Sequence, residues 1–168
     1  AAAATPAPEP APAPPEPAPT ATAQPPGGAA EAEAEGPLTI LVADDNATNR
    51  TVIQLFLEMA GHQSSFATNG AEAVALFEDG GFDMVLMDIS MPVMDGEEAT
   101  LRIREIEAAR AARRTPIIAV TAHVMPLALQ HFVARGFDGY VPKPIDDRAL
   151  NSEIRRCAKA AKRKRVTA

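Results

Sequence analysis

From Leu38 onward, apolar and polar positions alternate between two regimes along the chain. Short runs at 38–43, 83–87, 117–120 and 138–141, and a weaker one at 63–68, read as strands. Between them lie longer stretches with apolar residues three and four apart, which read as helices near 48–60, after Asn69-Gly70, near 97–112, near 126–135 and from about 146 to 160. In the first helix Val52, Leu55, Phe56 and Met59 fit an inward stripe; in the second Val74, Ala75 and Phe77 do, and in the third Ala99, Ile103 and Ile106. Asn46 or Thr48 suits the first helix start and Gly61 its stop, while Pro126 suits a first helical turn. The run Met84-Val85-Leu86-Met87 is wholly apolar, as expected of a central strand covered on both faces. Five β–α units joined by short links predict an α/β fold, a doubly wound parallel sheet with helices on both faces. A closed barrel would need eight such units.

The first 37 residues are different material. Eleven of the 16 prolines fall there, with five Glu, no basic residue and no large apolar one. Such a stretch cannot bury enough surface to offset its ordering entropy, so 1–37 reads as a Pro/Ala-rich linker. A secretion signal would need a basic start and a continuous apolar core. No run approaches the roughly 20 apolar residues that span a bilayer. The single cysteine, Cys157, excludes an internal disulfide and points to a reducing compartment; it lines up with Leu150 and Ile154 as core. The net charge of −6 is uneven: residues 38–158 carry 17 acids against 11 bases, and 159–168 carry five bases and no acid. That acidic body argues against a nucleic-acid-binding domain. The cluster Lys162-Arg163-Lys164-Arg165 reads as a solvated tail favouring the negative end of the last helix.

The strand ends carry the chemistry. Asp44 and Asp45 follow the first strand, Asp88 the third, Thr121 the fourth, and Lys143 the fifth. In a parallel sheet the carboxyl ends of the strands form the ligand rim. Three carboxylates gathered there call for a hard divalent cation or raised pKa values. Asp45 and Asp88 are the candidates for direct ligands of Mg2+, with Asp44 acting through water. Lys143 offers a positive charge, Thr121 a hydroxyl donor, and Asp88 a carboxylate nucleophile able to form an aspartyl-phosphate. Each residue alone is a weak signal; an Asp-Asp pair after a strand often only caps a helix. Their appearance at four strand ends in one register is the strong one.

The segments Leu41-Val42-Ala43-Asp44-Asp45-Asn46, Met87-Asp88 through Asp95-Gly96, Ala119-Val120-Thr121-Ala122 and Lys143-Pro144 resemble the receiver domain of two-component signalling. The resemblance spans 38 to about 158 and is most similar to receivers at the C-terminal end of hybrid histidine kinases, through Asp44, Asp45, Asn46, Asn49 and Thr121-Ala122-His123. It implies a flavodoxin-like sheet of order 2-1-3-4-5 with five helices, a receiver at 38–158 and a basic tail at 159–168. It also implies a phosphoacceptor at Asp88, with Mg2+ (or Mn2+) held by Asp44, Asp45, Asp88 and the Ser90 carbonyl. Thr121, the Ala122 amide and Lys143 would bind phosphoryl oxygens. Thr121 and Tyr140 would form a switch, and the Lys143-Pro144 bond would be cis. The implied partners are a histidine kinase core, in cis or trans, and a histidine phosphotransfer protein, with no nucleic acid. Switch-side contacts would involve Val124, Met125 and Phe137, and self-association, where it occurs, would use helix four to strand five.

The implied setting is a cytoplasmic domain on a parent chain that a membrane can anchor. No Gly-rich phosphate loop or ATP lid is present, so the chain is not itself the ATP-using kinase. Two other classes compete. One is a phosphorylation-independent, receiver-like interaction module regulating a kinase, which has less reason to keep a like-charge cluster. The other is an Asp-based phosphatase, which would need a second acid where Ser90 stands. His62, His123 and His131 lack partners at metal-ligand spacing.

Overall fold

The structure, a computed structural model, describes residues 36–122 and 128–166. Five strands, β1 (Thr39–Ala43), β2 (Gln63–Ala67), β3 (Met84–Asp88), β4 (Ile117–Thr121) and β5 (Gly139–Pro142), alternate with α1 (Ala47–Met59), α2 (Gly70–Asp79), α3 (Gly96–Ala109), α4 (Ala128–Ala134) and α5 (Asp147–Val166). All strand pairs are parallel, in the order β2-β1-β3-β4-β5, so the doubly wound sheet read from the sequence is the one observed.

Strand parity divides the core in two. Ile40, Val42, Leu86, Ile118 and Val141 face α1 and α5, where Ile53, Leu57, Leu150, Ile154 and Cys157 cover them. Leu41, Val85, Met87, Ile117 and Ala119 face the other way, under Ala73, Ala99, Ile103 and Phe132. Because β3 and β4 are covered on both faces, each of their residues is buried, and this is why their sequences are continuously apolar rather than alternating.

Helix α1 is rotated relative to the stripe its sequence favours. Leu55 is 54% exposed and Met59 72%, whereas Ile53 and Leu57 are fully covered. The rotation originates at the helix start. Asn46 caps it by accepting from the Thr48 and Asn49 amides, and the Asn49 side chain is drawn to the Asp44 carboxylate. Residues four apart stack on one line, so a fixed Asn49 places Ile53 and Leu57 over the sheet. In α2 the buried alanine is Ala73, and Ala75 faces solvent. Asn69 caps this helix, accepting from the Glu72 amide.

Helix α5 also departs from expectation, running to Val166 rather than ending near 160. The basic segment Lys162-Arg163-Lys164-Arg165 thus falls within the last turns of the helix. The expectations at His123, Val124, Met125 and Pro126 lie outside the described residues, as does nearly all of 1–37. No described helix is long and apolar enough to cross a membrane.

Candidate functional site

The register of the sheet sets the site. Ala43 is level with Met87, Asp88 with Val120, and Thr121 with Pro142, so the residues leaving these strands emerge side by side at the carboxyl edge. Asp44, Asp45 and Asp88 each bring one carboxylate oxygen to within 4.8 Å of the others. Lys143 reaches the same spot from beyond β5, its Nζ 2.6 Å from Asp88 Oδ2 and 3.3 Å from Asp44 Oδ2. The Lys143-Pro144 peptide is cis, and the Lys143 amide donates to the Thr121 carbonyl at 2.8 Å.

The three carboxylates are not equivalent. Asp44 is only 1% exposed, and its oxygens accept from the Asn46 amide (2.8 Å), from Asn49 Nδ2 (3.2 and 3.1 Å) and from Lys143. Asp88 is buried too; its Oδ1 accepts from the Ser90 amide at 3.1 Å and its Oδ2 from Lys143. Asp45 is exposed and has no hydrogen-bond or ion-pair partner among the described residues. Its open oxygens, with the remaining lone pairs of Asp88, suit a hard cation that takes one or two carboxylates plus water. Asp44, already saturated, is suited to the outer sphere. The donor set therefore fits Mg2+.

The electrostatics carry the cost of this arrangement. Burial pushes the Asp88 carboxyl above its ordinary pKa, over the opposing pull of the Lys143 hydrogen bond and the Ser90 amide, and the Asp44 charge adds to the rise. For Lys143, burial acts to lower the pKa, but the Asp88 hydrogen bond and the charges of Asp88 and Asp44 outweigh it, and the net shift is upward. Among the described residues, the Lys143 ammonium is the one cation paired with this group of three carboxylates, leaving the cluster short of positive charge.

Of the other residues expected here, Thr121 ends β4 as a buried side chain and Ala122 is exposed just beyond it. Ser90 is exposed, two residues past Asp88. Tyr140 lies on β5, half-buried, packed against the α2–α4 side core. The remaining histidines play structural parts: His62 Nδ1 accepts from the Leu38 amide, and His131 pairs with Glu97 at 3.0 Å.

Two contributors were not singled out for these tasks by the sequence. Arg50 Nη1 donates to the Asp44 carbonyl at 2.7 Å, fixing the β1 end. Gly96 lies so close beneath the Asp88 carbonyl that a Cβ there would collide with it. Its amide donates to the Ile89 carbonyl at 3.0 Å, drawing the loop after Asp88 tight. The Asp95-Gly96 pair carried a signal for the turn, but nothing in the sequence announced that the turn folds back under Asp88.

Known proteins share this plan. The chain is 40% identical over 123 residues to hybrid signal transduction histidine kinase I of Dictyostelium discoideum, and 40% over 111 residues to the sensor protein GacS of Pseudomonas syringae. These matches take up 70% and 66% of this chain but 7% and 12% of those kinases. The receiver domain of sensor histidine kinase PA1611 from Pseudomonas aeruginosa, solved with magnesium in its active-site cleft, superposes with a TM-score of 0.64 at 32% identity, over 74% of this chain and 99% of that one. A Saccharomyces cerevisiae receiver, that of Ssk1 in complex with the histidine phosphotransfer protein Ypd1, superposes at 0.65 with 28% identity, covering 68% of this chain and 84% of that one. Residues 40–155, well over half of the chain, match the response regulator receiver domain, and the chain belongs to that family.

Proposed function

We propose that the domain is a Mg2+-dependent phosphoacceptor in a phosphorelay, with Asp88 as the acceptor. An Asp88 carboxylate oxygen attacks the phosphorus of a phosphohistidine. The P–O bond forms as the P–N bond breaks; the imidazole leaves with the electron pair, and Asp88 becomes an acyl phosphate. Lys143 sits at the same oxygen and offsets charge as the phosphoryl group arrives. Thr121 Oγ1 and the Ala122 amide supply donors to phosphoryl oxygens, and Asp45, Asp88 and the Ser90 carbonyl would hold the metal, with Asp44 behind them. When bound, Mg2+ (or Mn2+) neutralises oxygen charge and templates the in-line arrangement. Thr121 and Tyr140 would then act as the switch that reports occupancy. The observation that carries this reading is the convergence of Asp44, Asp45 and Asp88 on one point with Lys143 Nζ 2.6 Å from Asp88.

The parent chain in this reading is a hybrid histidine kinase, with this receiver on its cytoplasmic side behind the 1–37 linker. The donor is a kinase core and the onward partner a histidine phosphotransfer protein. The coverage of kinase relatives and the Ypd1 complex of a similar receiver support that setting. The test is incubation of the full chain with Mg2+ and a small phosphodonor, with intact mass as the readout. One acid-stable, base-labile phosphoryl group is expected on the wild type and none on Asp88→Asn. Equal labelling of the two would refute it. The rival interaction module, acting without phosphorylation, predicts no labelling at all and no response to Mg2+.

A further inference from the structure

The edge of the sheet opposite the acidic pocket carries the opposite charge. There the segment between α3 and β4 and the C-terminal half of α5 enclose a cleft of about 350 Å3. Arg113, Arg114 and Arg156 line it, with Asp138 at its floor and Pro116, Ala160 and Ala161 as apolar wall. Lys159, Lys162 and Arg163 extend the same cationic surface along α5 from Arg156 and Ala160.

The Arg114 and Arg156 guanidiniums, though exposed, are held in place. Arg114 bonds to Asp138 Oδ1 (3.2 Å) and to the Gly136 carbonyl (2.9 Å); Arg156 bonds to Glu153 (2.6 Å) and to the Asp138 carbonyl (2.7 Å). Arg113 has, among the described residues, a single 3.5 Å pair with Asp83. Fixed forks with donors to spare recognise phosphate better than mobile ammoniums do. Cations near the C-terminal ends of α3 and α5 also relieve those helix dipoles. That explains their sign, but not a concavity between two chain segments walled by proline and alanine.

We infer that this cleft is an anion site for a phosphate-bearing small molecule of nucleotide size, separate from the Asp88 pocket. The volume is at the lower end for ligand sites. The guanidiniums match phosphate, and the apolar wall matches a flat ring or sugar face. The α5 extension past residue 160, which the acceptor chemistry does not use, completes the rim.

The test is titration of the isotope-labelled full chain with pyrophosphate and, separately, ADP, in EDTA at about 0.15 M salt, where exposed charges are screened. Saturable amide shifts confined to residues 113–115, 138 and 156–163 are expected, with half-saturation below roughly 1 mM. ADP tighter than pyrophosphate assigns the wall to a nucleoside; equal affinity assigns the site to the phosphate alone. Arg113→Gln combined with Lys159→Gln, which leaves the Asp138 contacts intact, should weaken binding about tenfold or more. Asp88→Asn should leave the titration unchanged, so failure here and failure of the acceptor reading are told apart. Linear shifts without saturation, shifts matched by sulfate, or no effect of the double variant would overturn the site.

Discussion

Lys143 Nζ and Asp88 Oδ2 meet at 2.6 Å although 55 residues separate them in the chain. Each arrives at the end of its own strand, so the pair is made by sheet order and not by local structure. Lys143 is also 3.3 Å from Asp44 Oδ2, and removing it leaves two buried carboxylates facing each other with no counter-charge. Replacing Lys143 with Met should therefore cost about 2–3 kcal/mol of unfolding free energy in EDTA at pH 7, below the full range for a buried pair because the lysine is partly solvated. Denaturant titration measures it. A variant as stable as the wild type would mean the ammonium contributes nothing to holding the carboxylates together.

Asp88→Asn should act in the other direction. The folded protein raises the Asp88 pKa, so it favours the neutral carboxyl over the charged one. The stability tied to that group is present below the unfolded pKa, near 4, and is lost as pH rises through the higher folded value. Asparagine mimics the neutral form at every pH. In EDTA at pH 7 the variant should melt above the wild type, and the gap should close on acidification toward pH 4. Mg2+ should raise the midpoint of the wild type and do much less for Asp88→Asn. Scanning calorimetry with and without the metal reads both.

Gly96 is placed by contact rather than by turn chemistry. A Cβ there would run into the Asp88 carbonyl, which is backbone and cannot swing aside. Gly96→Ala should destabilise by about 1–3 kcal/mol through forced displacement of the loop after β3. Because the displaced atoms belong to Asp88, the proposed acceptor, labelling by a small phosphodonor should slow as well. A variant that loses neither would show that the loop has slack.

The architecture and the charged cluster were legible because both follow from strand ends. Buried parallel strands write themselves as apolar runs, and in this topology their last residues have nowhere to go but one rim. The rotation of α1 was not legible. Residues 52, 53, 55, 56, 57 and 59 are all apolar, so a second stripe through Ile53 and Leu57 also satisfies the period. The choice is made by the Asn49–Asp44 hydrogen bonds, a tertiary contact without periodic trace. The same limit hid the tie at the other edge, where half-buried Arg104 joins Glu107, the Thr115 and Gly136 carbonyls and Asp138. The end of α5 was missed for a simpler reason. Its last turns are Ala, Lys and Arg, good helix formers with no apolar stripe to mark them.

The α1 rotation can be checked directly. Leu55→Lys and Met59→Lys should each change stability by less than about 0.5 kcal/mol, as surface positions do. Leu57→Ala, at a fully covered site, should cost roughly 2–5 kcal/mol. The reverse ranking would restore the stripe that the sequence favoured.

Cys157 offers a readout of the α5 face of the core. It is buried beside Leu150 and Ile154, and burial pushes its thiol up to about 11, against the lowering effect of Arg156 and with Glu153 and Asp138 adding to the rise. The thiolate is the reactive form, so alkylation at pH 7.5 should be slow in the folded chain and reach the rate of a free thiol on unfolding. The stability linked to this group is complete below its ordinary value of 9.0 and is lost as pH climbs through about 11. Cys157→Ala removes that linkage. Between these two pH values the wild type should lose stability faster than Cys157→Ala, although at pH 7 the wild type, with its larger buried side chain, should be the more stable of the two. Parallel slopes for both proteins across that window would mean that the thiol is solvated in the native state.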